Sequence, residues 1–138
     1  MKISARLTNS KDLNQVSLAT NDNSHELAIP SKASGYGSSV NGGELLCLAL
    51  ATCFCNDIYR EAAKQGIVVE QVEVEVESEY EKDGKPARFI AYNARVSAHA
   101  STETIRELMV RTNRMAEIQN TVRKGLTINL EKMEAVSL

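Results

Sequence analysis

Aromatic side chains are scarce, at 4% of the 138 residues with no tryptophan at all, so whatever core this chain forms is aliphatic. A dominant charge of one sign is missing too. Sixteen Lys and Arg against 18 Asp and Glu leave a net charge of −2. No basic cluster falls on any expected element, which removes the electrostatic case for a nucleic-acid partner. Long apolar runs are absent as well. The longest, Leu45 to Cys55, is about half of the roughly 20 residues a membrane helix needs, and MKISARLTNS has no apolar signal region. Cysteine numbers three, an odd count that makes no disulfide framework and fits a reduced, cytoplasmic compartment. There is no CxxC, and His25 and His99 lie far from the cysteines, so neither a metal nor a cofactor is expected. At this length, with no linker, repeat or low-complexity tract, residues 1–138 are expected to form a single domain.

What is present concentrates in Asn41 to Gly66, NGGELLCLALATCFCNDIYREAAKQG. The segment predicts a helix over about 44–65, stopped by Gly66. Its first half, Leu45 to Cys55, is apolar all round, and polar residues begin at Asn56. Cys53 and Cys55 sit at that change of character, where a thiol is desolvated yet reachable. Cys47 falls deep in the apolar half. Asn41-x-x-Glu44 has the spacing of a capping box, with Asn41 as N-cap and Glu44 reaching back to it.

Around that helix, residues 1–30 read as short strands with turns at Asn9–Ser10 and Asn21–Asp22–Asn23, followed by a Gly- and Ser-rich loop over 31–43. Ile67 to Glu81 alternates, with Val72, Val74, Val76 and Tyr80 on one face and Glu73, Glu75, Glu77 and Glu79 on the other. This is a half-buried strand with a solvated acidic face. Asp83–Gly84 turns the chain into a second strand, Arg88 to Ala98. Ser101 caps a second helix, about 102–117, with an apolar stripe at Ile105, Leu108, Met109, Thr112, Met115 and Ala116. Leu126, Ile128 and Leu130 alternate as a closing strand. The order gives an α+β fold with an antiparallel sheet, a long buried central helix and a second amphipathic helix. A helix apolar on every side needs cover all round, and a homodimer that sandwiches it between two chains supplies that cover.

The stretch G-G-E-L-L-C-L-A-L-A-T-C-F resembles the signature of the OsmC/Ohr family, in which P-E-x-L-L leads through a small apolar helix to a cysteine followed by an aromatic. The hairpin, second helix and closing strand follow in that family's order, so the resemblance spans roughly residues 30–131. It implies an intertwined α+β homodimer and thiol-dependent reduction of organic hydroperoxides with two redox cysteines per site. By this match Cys53 takes the peroxidatic position and Glu44 the glutamate position. The second family cysteine, normally in a stretch like C-P-x-x-N-T-L, is replaced. Here the matching residues are Ala116 to Val122, which puts Ala116 where the resolving thiol stands.

No other cysteine substitutes for it. At about 100° per residue, Cys55 lies roughly 200° and Cys47 roughly 120° around the helix from Cys53, beyond the geometry of a disulfide. Asp57, at i+4 from Cys53, raises a thiol pKa, and a cation has to offset it: Arg60 at i+7, or Arg6 or Lys11 from the N-terminal strands. Glu44 is about 13.5 Å along the helix from Cys53 and on the opposite face, so it serves that thiol only from another subunit. Two functions follow as expectations. One is a hydroperoxide reductase using Cys53, with a hydroperoxide substrate and an external thiol reductant as partners. The other is a non-enzymatic OsmC-like dimer that binds an apolar small molecule in the interfacial pocket.

Overall fold

The computed structural model describes residues 1–138, which divide into two compact units, Met1–Leu46 and Cys47–Leu138. In the first, β1 (Ile3–Ser10), β2 (Leu13–Thr20) and β3 (Asn23–Glu26) form an antiparallel meander in that order. Its tight turns carry Asp12 and Asn21 at positive φ, a conformation Asp and Asn tolerate better than most residues. The first turn is therefore at Lys11–Asp12, two residues beyond the Asn9–Ser10 expected from composition. Asn9 instead sits in β1, where its side chain accepts from the Gly37 amide at 2.9 Å and donates to Asn14.

The long helix α1 runs Gly42–Lys64. It begins with the reciprocal bonds of a capping box: the Glu44 amide donates to Asn41 Oδ1 at 2.9 Å, and the Asn41 amide to Glu44 Oε2 at 2.8 Å. A single chain covers only part of it. The covered stripe is Leu50, Phe54, Ile58 and Ala62, with Asp57 and Glu61 beside it, whereas Leu48 is 58% exposed. The all-apolar half is thus the less covered one, because within this chain the hairpin and second helix pack on the C-terminal half.

That hairpin is β4 (Val69–Glu79) against β5 (Phe89–Ala98), antiparallel, with a register shift between Val69 and Gln71. Val72, Val74, Tyr92, Ala94 and Val96 turn toward the helix stripe, and the glutamates of β4 face water. Phe54 meets Tyr92 edge-on, ring centroids 5.3 Å apart. α2 (Thr102–Met115), capped by the Ser101 hydroxyl, adds Leu108 to the same cluster.

Two expectations about the end of the chain are corrected. The second helix does not run unbroken to 117. It stops at Met115, Ala116 takes an extended ψ of 110°, and α3 (Glu117–Lys124) starts afresh. Carbonyls freed at the end of α2 are taken up by α3 side chains: Asn120 Nδ2 donates to Arg114 O and Arg123 Nη1 to Asn113 O. Nor do Leu126, Ile128 and Leu130 form a strand. Ile128 is 96% exposed, and the alternating pattern finds no backbone ladder to join, without which a strand leaves its amides unpaired. No helix is long and apolar enough to cross a membrane.

The stripe makes Ile58 the most enclosed aliphatic side chain of α1, at 0% exposure. Ile58→Ala should destabilise the fold by about 2–5 kcal/mol, read as a lower urea midpoint with the slope unchanged.

Candidate functional site

With Phe54 turned to the hairpin, Cys53 points to the flank of α1 and is half-buried. One turn on, Asp57 Oδ2 accepts from the thiol at 3.7 Å, and Glu117 Oε2, from the first residue of α3, lies 4.0 Å from the sulfur. Cys53 thus sits between a buried carboxylate on its own helix and the amino end of another.

The charges oppose one another. Burial pushes the Cys53 thiol above its ordinary range; the Ile118 N–H pulls it back, and Asp57 and then Glu117 push it up again. Asp57 itself is raised, first by burial, with Arg60 opposing and Glu117 adding to the rise. Of the three expected cations, Arg60 is held by carboxylates: Asp57 at 2.9 Å, Glu61 at 3.2 Å and Glu117 at 3.9 Å. Arg6 lies in β1 and Lys11 in the turn after it, both in the first unit. Glu44 is exposed and engaged in its capping box. Burial and the neighbouring carboxylates therefore favour the protonated form of the thiol.

Cys53 Sγ and one oxygen each of Asp57 and Glu117 lie within 4.8 Å of one another, a donor set that suits a borderline divalent cation. The Arg60 guanidinium already supplies positive charge there. The other cysteines face elsewhere: Cys47 Sγ is 3.4 Å from Ser78 Oγ on β4, and Cys55 lies beside Val72 and Val74. Ala116, in the expected place of a second thiol, is fully buried at the joint between α2 and α3.

On the other side of Phe54 a cleft of about 660 Å³ opens between β5 and α2, lined by Phe54, Tyr92, Val96, Ile105, Met109 and Val110, with Arg95 and Arg106 among its polar groups. Tyr92 donates to Asn113 Oδ1, which also accepts from Arg123 Nη2 at 2.6 Å. Burial raises the Tyr92 phenol, Arg123 lowers it, and charge on Cys53 would raise it further, so ring and thiol share one electrostatic neighbourhood.

The family model described as OsmC-like protein matches residues 35–131, well over half of the chain. The chain belongs to the OsmC-like protein family. No curated protein matches it at a significant level. Among solved structures it is similar to an OsmC-like protein of unknown function from Vibrio cholerae (TM-score 0.63, 13% identity, covering 88% of this chain and 93% of that one). It is also similar to an organic hydroperoxide resistance protein OsmC from Legionella pneumophila (0.59, 21%, 89% and 90%). A third likeness is to the organic hydroperoxide resistance protein OhrB of Bacillus subtilis (0.55, 15%, 89% and 91%). At these identities the likeness is one of fold.

Sequence reasoning singled out Cys53, Asp57 and Arg60, which the structure brings together, but not Glu117, Ile118 or Gln119. The one signal that pointed to them was the similarity of Ala116 to Val122 to the stretch that carries the family's second cysteine.

Because the Asp57 carboxylate raises the neighbouring thiol, Asp57→Asn should lower the Cys53 pKa. Iodoacetamide should then label Cys53 faster at neutral pH than in the parent, by a severalfold factor readable by mass spectrometry.

Proposed function

We propose that this OsmC-like protein reduces hydroperoxides with Cys53 as the nucleophile and an external thiol completing the cycle. The observation that carries the proposal is a half-exposed thiol 3.7 Å from the buried Asp57 carboxylate. Asp57 takes the thiol proton as substrate arrives. The sulfur attacks the terminal peroxide oxygen, the O–O bond breaks, and the alkoxide leaves with the proton as an alcohol while Cys53 becomes a sulfenic acid. A small-molecule or protein thiol then condenses with that acid, releasing water and leaving a mixed disulfide. A second thiol attacks the disulfide, regenerates Cys53 and departs as the oxidised reductant. The external thiol is needed because Ala116 stands in place of a second cysteine and neither Cys47 nor Cys55 faces Cys53. Two of the similar structures described above belong to organic hydroperoxide resistance proteins, which supports this reading through the fold.

A second reading, a dimer that binds an apolar small molecule without turnover, is favoured by the upward shift of the thiol and by the apolar cleft beside Phe54. Mild peroxide treatment separates the two. The reductase should accumulate Cys53 sulfenic or sulfinic acid and no intramolecular disulfide, and Cys53→Ser should abolish peroxide consumption. A Cys53 that stays unoxidised would leave the binding reading as the better one.

We propose further that the protein acts as a homodimer. In support, the apolar first half of α1 leaves Leu48 58% exposed, and Ile128 and Leu130 of the closing segment are 96% and 78% exposed. A second copy covering both would bury about 2,000 Å² or more. Sedimentation at micromolar concentration should show a dimer, and a stable monomer would refute this arrangement.

A further inference from the structure

The carboxylates around Cys53 differ in what they face. Asp57 and Glu61 have side chains only 5% exposed, whereas Glu117 is 64% exposed and holds Oε2 4.0 Å from the sulfur. Arg60 reaches all three acids, at 2.9 Å from Asp57, 3.2 Å from Glu61 and 3.9 Å from Glu117. Its charge is therefore committed mainly to the two buried ones. Lys64 pairs with Glu61 at 2.8 Å. Three carboxylates against two cations leave one negative charge around the thiol, and moving a proton from Cys53 to Asp57 does not change that total. The least neutralised of the three acids is also the only one open to solvent. A fixed charge a few ångströms from a reacting atom acts on an approaching ion at short range, where little water screens it.

We infer that Glu117 sets the charge preference of Cys53, slowing anionic reaction partners and admitting uncharged ones. The inference rests on Cys53 as the nucleophile toward hydroperoxides and deepens that reading by naming the substrate class. The site takes uncharged alkyl hydroperoxides in preference to those that carry a carboxylate close to the O–O bond. A carboxylate in the first turn of a helix also steadies that helix through its dipole. The two roles part in what they move: one changes stability, the other the discrimination between charged and neutral reagents.

The test compares alkylation of Cys53 by iodoacetamide, which is uncharged, and by iodoacetate, which is an anion, in the full chain with each cysteine read separately by mass spectrometry. Both reagents consume the same thiolate, so the ratio of their rates is independent of how readily the thiol ionises. Glu117→Gln should raise the iodoacetate-to-iodoacetamide ratio about three- to tenfold, and Glu117→Asp should stay close to the parent. Raising salt to about 0.5 M should lift the parent's ratio toward that of Glu117→Gln and move the variant's less. A purely structural role would lower the thermal midpoint of Glu117→Gln and leave the ratio in place. A folded Glu117→Gln with the parent's ratio overturns the inference. Should that variant not fold, a parent ratio unmoved by salt overturns it equally. In peroxide assays Glu117→Gln should gain a similar factor in kcat/KM for a carboxylate-bearing hydroperoxide relative to tert-butyl hydroperoxide. No turnover with either substrate, alongside a shifted alkylation ratio, would remove the reductase reading and leave Glu117 as the charge selector of the thiol. Turnover with an unshifted ratio would do the opposite.

Discussion

The packing of Phe54, Ile58 and Ala62 against the β4–β5 hairpin fixes the rotation of α1 about its own axis, and each side chain of the site inherits its direction from that rotation. With Phe54 edge-on to Tyr92, its neighbour Cys53 is turned about 100° away, off the hairpin and toward α3. The same rotation carries Asp57 and Glu61 to the border of the core, where both are buried. Carboxylates there need positive charge, and Arg60 and Lys64 supply it from the exposed side, Lys64 at 2.8 Å from Glu61. The cations of this helix therefore serve its buried acids first.

The thiol is left between two unequal influences. Burial and two carboxylates hold it protonated, and a single backbone amide works the other way. Such a sulfur is quiet at rest, and in the proposed reaction its reactivity arises from proton transfer to Asp57 rather than from a standing population of thiolate.

Much of this was legible beforehand. Alternation in β4 named Val72, Val74 and Val76 as inward, because a half-buried hairpin writes its pleat into the sequence, whereas Tyr80 falls beyond the strand at 47% exposure. Asn41 and Glu44 formed their capping box, since that contact lies within one turn. Long-range features were opaque. Leu50 and Gln119 are 69 residues apart, and Cys53 and Glu117 are 64 apart; no local pattern announces such meetings. The break at Ala116 carries neither proline nor glycine, so composition gave no warning of it. The apolar run of α1 told which residues avoid water but not which of them this chain can cover. The pattern at Leu126, Ile128 and Leu130 likewise gave a strand's periodicity without a neighbour to pair with.

The helix that completes the surroundings of Cys53 is also among the least anchored parts of the second unit. Of the eight residues of α3 only Gln119 is buried, and the chain after Gly125 is exposed throughout. Segments with so little burial open in small, separate excursions at a free energy well below that of global unfolding. Amide exchange in α3 and exchange in the β4–β5 core are then two different clocks. The surroundings of the thiol are thus built in part from α3, while Phe54, one residue along the same helix, packs in the core.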